Sequence, residues 1–228
     1  MSGDKQKLKH DYGRIDKDYG LSLATRPPDE DGPIFMVNLM KYHEVAQYDA
    51  SQENGEAVAI SGREADDKYN PSSILNKIGA DIMLAADVRT SVLGVDWDRI
   101  AIVRYPTRRS FIEMQTRKDF GDKHVHKNAG MLRTVIPCCT PRNEELNVRP
   151  RPTGGLTLDH LVMVVSADVF GGAMFDVEGT IIGDGRTWRN VHLMRVRDEF
   201  EANVIAERIQ PPGDGFVMTL TSHMNGLV

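Results

Sequence analysis

His126, Arg104 and Asn38 are the residues with the clearest chemical use. His126 is the best general-base candidate, because an imidazole titrates near neutral pH. It lies just before Ala129-Gly130, where a helical pattern gives way to a strand pattern. A histidine there also suits the negative end of a helix dipole, which is its purely structural reading. The planar guanidinium of Arg104 matches a carboxylate or an enolate oxygen, and Asn38 can donate to a carbonyl oxygen. Both stand at the ends of apolar stripes. Ile34, Met36, Asn38 and Met40 share one strand face; Ile100, Ile102 and Arg104 share another, with Tyr105 opposite. Either polar group can instead sit at a strand end in water. Lys41 is a cation for a pocket mouth or a solvated lysine. Tyr69 is a hydroxyl for the pocket or a core tyrosine, and Trp97 stacks on a ligand or packs a strand junction.

The expected catalytic pair is therefore His126 and Arg104, with Asn38, Lys41, Tyr69, Trp97 and Tyr105 binding substrate. His124-Val125-His126 has no carboxylate or cysteine partner in register, so no metal site is expected. His192 and His223 have no recognisable motif around them. The chain has no Gly-x-Gly-x-x-Gly after a strand, no Walker-type loop and no Gly-x-Ser-x-Gly elbow, so nucleotide-dependent and serine-hydrolase chemistry fall away. No cofactor is implied.

Composition narrows the partners. The formal net charge is -5, from 28 basic and 33 acidic residues, which lacks the clustered basic excess of a nucleic-acid binder. No apolar run approaches a membrane span, and Met1 to His10 is too polar for a secretory signal. Cys138 and Cys139 are adjacent, so on a strand they point to opposite faces and are poorly placed to bridge. Two reduced thiols in a cytoplasmic protein are expected.

The elements that must position these residues are legible in outline. Residues 1–31 read as a polar arm ending in the breaker cluster Pro27-Pro28-Asp29-Glu30-Asp31-Gly32-Pro33. Ile34 to Met40 reads as a strand, and Gly62 to Ile78 as helix with a new piece at Asn70-Pro71. Asp81 to Leu93 and Arg99 to Tyr105 read as strands. Thr107 caps a helix through Phe111 and Met114, a further helical stretch carries Phe120 and His124 to Gly130, and Met131 to Cys138 closes the unit. The order is β-α-β-β-α-β, the split unit of ferredoxin-like folds. This half spans 32–141, and a Pro- and Gly-rich linker comes next over 142–157.

An internal repeat ties 158–228 to that half. Asp87-Val88-Arg89-Thr90-Ser91-Val92-Leu93-Gly94 is echoed by Asp176-Val177-Glu178-Gly179-Thr180-Ile181-Ile182-Gly183. Trp97 then matches Trp188, Ile100 matches Val191, Ile102 matches Leu193 and Arg104 matches Arg195; the chain has no third tryptophan. Leu161 to Val165 opens this copy, and Glu199 to Ile209 and Phe216 to Ser222 supply its helix and last strand. Leu161 precedes Trp188 by less than half the separation of Ile34 and Trp97, so most of the first helix is missing from the second copy. A sheet with one bare face must cover it. The fold class expected is α+β, a ferredoxin-like α+β barrel made from a tandem unequal repeat, with the first half carrying the pocket and the second acting as lid and partner. A bare edge would favour a homodimer.

At several of these segments the chain resembles a known family. Gly32-Pro33-Ile34-Phe35-Met36-Val37-Asn38-Leu39-Met40-Lys41-Tyr42 is similar to its opening strand, and Ser61-Gly62-Arg63-Glu64-Ala65 with Tyr69 to its first helix. Trp97-Asp98 through Arg104-Tyr105-Pro106-Thr107, with Phe111 and Met114, resembles its Trp-Asp, Tyr-Pro-Ser and Phe-Met elements. His126-Lys127-Asn128-Ala129-Gly130-Met131 resembles a His-Arg-x-Ala-Gly-Leu segment, with Lys127 replacing the arginine. The family is the domain of unknown function 1330, in the dimeric α+β barrel superfamily, and the resemblance covers roughly 32–140. It implies the fold and no settled activity; the superfamily includes cofactor-free monooxygenases, isomerases, cyclases and haem enzymes. The expectation is a cofactor-independent enzyme acting on a small, partly apolar carbonyl or phenolic compound. The alternatives are a non-catalytic small-molecule-binding or interaction domain and, third, a haem protein, which would need a histidine ligand.

Overall fold

Asp16 starts the first helix: its carboxylate accepts from the Tyr19 backbone N–H at 2.9 Å, which satisfies one of the donors a helix start leaves open. The computed structural model describes residues 12–49, 59–93, 96–147, 158–167 and 174–228. In it a two-residue strand, β1 (Arg14–Ile15), precedes this helix, α1 (Lys17–Thr25), which buries Leu23. Large apolar residues after Pro33 form β2 (Ile34–Tyr42). Ser61 and Glu64 make a capping box that opens α2 (Gly62–Tyr69). Pro71 has no N–H to continue that helix, and α3 (Ser72–Lys77) starts after it. β3 (Asp81–Val92) and β4 (Arg99–Tyr105) come next. Thr107 caps α4 (Arg108–Gln115), and α5 (Lys118–Gly130) runs directly into β5 (Met131–Pro141). The remainder is β6 (Asp159–Ser166), β7 (Phe175–Gly183), β8 (Asn190–Val196), α6 (Glu199–Arg208) and β9 (Phe216–Asn225). The expected linker at 142–157 lies largely outside the described residues.

All the strand pairings are antiparallel, in the order β1-β7-β5-β2-β4-β3-β9-β6-β8, and β8 also pairs with β7. That last pairing, Phe175↔Val191 and Asp176↔Asn190, joins the two ends, so β2 to β9 close into a ring. The joint is two residue pairs long, so closure shortens the free edges that would invite another chain without removing them. The ring is an α+β architecture built on one large antiparallel sheet. Alternate side chains of all eight ring strands turn inward, among them Val37, Leu84, Ile102, Val135, Met163, Phe175, Leu193 and Met218. Both tryptophans, Trp97 and Trp188, belong to this interior. It is a packed core, as in other small barrels.

Helices cover the outside. The outer face of β2, β4 and β5 packs under α2 to α5, with Met36, Tyr69, Tyr105 and Phe120 in one cluster. α6 covers β6 and β9 through Ala202 and Ala206 against Val162, Val164 and Val217. No described helix stands between β6 and β7. The outer side of β7 is instead reached by the N-terminal segment. β1 pairs with the end of β7, Asp16 N–H donates to Ile181 O at 3.0 Å, and the Tyr19 ring lies directly over Gly179.

Cys138 and Cys139 are buried and unlinked. Cys138 lies in the outer cluster and Cys139 in the ring interior, as opposite strand faces require. Among the described residues no helix is long and apolar enough to cross a membrane.

Candidate functional site

The residues expected to carry chemistry do not converge. Arg104 shares its face with Ile100 and Ile102, inside the ring. Asn38 lies on the other face of the sheet. Its amide donates to Met36 O at 3.1 Å and Ala101 O at 3.3 Å, so its donors are spent on backbone. His126 is on α5, outside the ring, where its Nδ1 hydrogen-bonds the Tyr48 hydroxyl at 2.8 Å. Burial, and then the Lys68 charge, hold His126 below the ordinary imidazole range. Tyr69 and Tyr105 are buried beneath the helices, Tyr69 under the Lys127 ammonium and Tyr105 edge-on to Phe111. Burial raises both phenols. Trp97 is interior, with the Arg133 guanidinium 4.6 Å from its ring centroid. The ring interior is filled by apolar side chains, so it does not supply the pocket that alternation along the strands suggested.

Lys41 is the exception. It lines an open cleft of about 910 Å³ at one mouth of the ring. The walls come from the end of β2 (Lys41, Tyr42) and the residues after it, the start of α2 (Ser61, Arg63), β3 (Asp87, Val88, Arg89), Asp98 and Leu132 of β5. Arg104 is at the far end of β4 from this mouth, about 17 Å along the strand from Arg99.

Three strand irregularities build the cleft. Opposite β3, Ala85 pairs with Met224 and Ala86 with Ser222, so His223 is an extra residue in β9. Val88 pairs with Leu220 and Thr90 with Thr219, so Arg89 is an extra residue in β3. Lys41 pairs with Arg133 and Tyr42 with Met131, so Leu132 is extra in β5. Such bulges re-aim a side chain out of the strand alternation. Here two of the three deliver residues to the cleft wall, and His223 reaches the wall residue Asp87.

Asp87 is the centre of the charged groups. His223 Nε2 is 2.6 Å from Asp87 Oδ2. Arg63 Nη2 donates to both carboxylate oxygens, at 2.7 and 2.8 Å. Arg99 Nε stands 3.6 Å from Oδ1. Burial pushes the Asp87 carboxyl up, but the hydrogen bonds and charges of Arg63 and His223 outweigh it and hold the group below the usual carboxylate range. An ionised carboxylate can only accept, so His223 Nε2 carries the proton. A neutral ring then has its lone pair on Nδ1. Below Asp87, Arg99 binds Asp67 at 2.8 Å and Asp66 at 3.4 Å, and the Tyr42 hydroxyl donates to Asp66 at 2.7 Å. Lys41 binds Asp96 at 2.6 Å and Asp98 at 2.8 Å. Burial works against the Lys41 charge, and these two carboxylates more than offset it.

No family model and no curated protein matches the chain. Two solved structures resemble it. One is the methylated RPA0582 protein, 22% identical with a TM-score of 0.48, spanning 57% of this chain and 96% of its own. The other is the RPA0582 protein of unknown function from Rhodopseudomonas palustris, 19% identical with a TM-score of 0.49, spanning 58% of this chain and 98% of its own.

Asp87, His223, Arg63 and Arg89 escaped sequence reasoning. Asp87 stands first in the repeated octapeptide, where it reads as a strand residue. Its partners come from α2 and from β9, far away in sequence. Among the described residues no group of three or more histidine, cysteine, aspartate or glutamate side chains is arranged to hold a metal ion.

Proposed function

We propose that the protein is a cofactor-independent enzyme that moves a proton on a small, partly apolar carbonyl or phenolic compound, and that the cleft at the ring mouth is its active site. Of the isomerase, cyclase and monooxygenase types that the family resemblance implies, an isomerase fits this cleft best. The observation that carries the reading is the 2.6 Å contact of His223 with Asp87 across the junction of β3 and β9. Asp87 fixes the imidazole tautomer and orientation, which leaves Nδ1 as a base. Nδ1 takes a proton from the carbon beside a carbonyl. The electron pair moves onto the carbonyl oxygen, facing the cations of the cleft wall. Return of the proton to the oxygen or to another carbon gives the isomer, with no change of oxidation state. Lys41, which also lines the cleft, is proposed as a binding residue.

The fold part of this reading is a tandem pair of ferredoxin-like units. Its support is strand order. The first unit runs β5-β2-β4-β3 and the second β7-β8-β6-β9. In both, read by position in the unit, the order is fourth-first-third-second or its reverse. One chain thus closes a barrel that a homodimer closes in dimeric α+β barrels, and a second copy is not needed for closure. Two buried, unlinked thiols support a reducing, cytoplasmic setting.

A non-catalytic small-molecule-binding domain is the second reading. It is favoured by Asp87 being already satisfied by Arg63 in a cleft open to solvent. Deuterium wash-in separates the two. Phenylacetaldehyde and 3-phenylpyruvate, both enolisable, are incubated with the protein in D2O near pH 7 and monitored by NMR. Catalysis predicts wash-in beside the carbonyl well above the buffer rate, falling by about 100-fold or more in His223→Gln with the circular dichroism unchanged. Exchange at the buffer rate, or a His223→Gln rate equal to wild type, overturns the catalytic reading.

A further inference from the structure

We propose that the cleft selects substrates bearing a carboxylate, and that Arg89 is the residue that binds it; this deepens the reading of the cleft as a small-molecule site and rests on it. Three cations line the cleft: Lys41, Arg63 and Arg89. Lys41 is neutralised by Asp96 and Asp98, and Arg63 by Asp87. Arg89 has no carboxylate within ion-pair distance among the described residues. Its one hydrogen bond there runs from Nε to the Thr221 hydroxyl oxygen, at 2.9 Å.

That single contact has a geometric consequence. It holds the guanidinium plane from the Nε side and leaves the two terminal nitrogens as an end-on fork. A planar fork with two parallel N–H donors is the complement of a carboxylate. The backbone makes the same selection. Arg89 is the extra residue of a bulge, so it departs from the alternation that would otherwise set its face.

The neighbours limit the rest of the molecule. Val45, Val88 and Leu132 add an apolar wall, with Leu132 half exposed. Arg89 lies two residues from Asp87, a separation of about 7 Å along a strand. A ligand held at Arg89 and reacting at His223 is therefore short. A small oxo acid with a compact apolar group meets all three conditions.

Binding is tested with phenylacetate and its neutral counterpart phenylacetamide, by calorimetry at low ionic strength. Wild-type protein should bind phenylacetate about ten-fold or more tightly than phenylacetamide, the scale of one charge-assisted hydrogen-bond pair. Arg89→Gln should remove that preference, and its exposed position makes loss of the fold an unneeded explanation. His223→Gln should keep it. No binding of phenylacetate, equal affinity for the two probes, or a preference that survives in Arg89→Gln overturns the proposal. The preference does not depend on turnover. If His223→Gln leaves deuterium wash-in unchanged while Arg89→Gln abolishes the preference, the catalytic reading fails and the carboxylate site stands.

Discussion

Glu178→Ala is expected to cost the fold about 3–5 kcal/mol, a fall in Tm on the order of 10 °C for a chain of this size. Glu178 is where three separate parts of the molecule meet. Arg108, at the start of α4, donates to it from Nε and Nη2, and Arg26, just after α1, donates at 2.8 Å. The Tyr19 hydroxyl donates to it at 3.2 Å. The Arg108 side chain is only 8% exposed and Glu178 19%, so little water would replace a lost partner. Removing the carboxylate strands a buried guanidinium, which costs far more than losing a surface pair. Burial alone would raise the Glu178 carboxyl, but the hydrogen bonds and charges of Arg108 and Arg26 hold it below the ordinary range. A lowered folded-state pKa means that this stability is complete above the unfolded value, near pH 4.3, and is lost as pH falls through the folded value. Urea unfolding should therefore show a large gap between wild type and variant at pH 7, closing under strong acid. A gap below about 1 kcal/mol at pH 7 would refute the assignment.

The second large effect is expected at a helix crossing. A Cβ on Gly130 would lie 2.3 Å from Gly62 O, and one on Gly62 would lie 2.4 Å from Gly130 O. The obstacle is backbone, which cannot swing aside as a flexible side chain can. The same backbones are tied by His43 N–H to Gly130 O at 2.9 Å and Gly62 N–H to His43 O at 3.0 Å. Gly130→Ala must part α2 from α5 or break these bonds, at about 3 kcal/mol. Because α2 carries Arg63, ligand affinity at the cleft should fall as well. Gly32→Ala is the control: its Cβ would meet nothing within 4 Å. Equal urea midpoints for the two variants would contradict the close crossing.

The legible parts of the sequence were periodic or punctuated. Pro33, Asn70-Pro71, Thr107 and the alternation of Arg99 to Tyr105 mark elements that the structure contains at those places. Asp87 and Asp176, which open the two similar octapeptides, each stand opposite a threonine, Asp87 opposite Thr221 and Asp176 opposite Thr140. The residues two places beyond these threonines carry no pattern that pairs them. At one junction that residue is Arg142, a permanent cation that binds Asp176 at 2.7 Å. At the other it is His223, which can exchange a proton. Bulges hid the site further. Alternation assigns side chains to faces, and Arg89, Leu132 and His223 are extra residues where alternation breaks. The helix α1 was hidden for another reason. Tyr12 and Leu23 are its neighbourhood's main buried anchors, too few to give a polar segment an amphipathic signature. His126 and Arg104 looked convergent because no local pattern tells the inside of a closed ring from its outside.

Ligands are expected to act at the ring mouth beside His223 rather than within the ring. Titrating 3-phenylpyruvate into isotope-labelled protein tests it most directly. The His223 imidazole resonances and the Arg89 guanidinium signal should shift together and saturate, while the methyl groups of the interior residues Leu161, Met163 and Val165 stay in place. Saturating shifts of those interior methyls, with His223 unmoved, would contradict it.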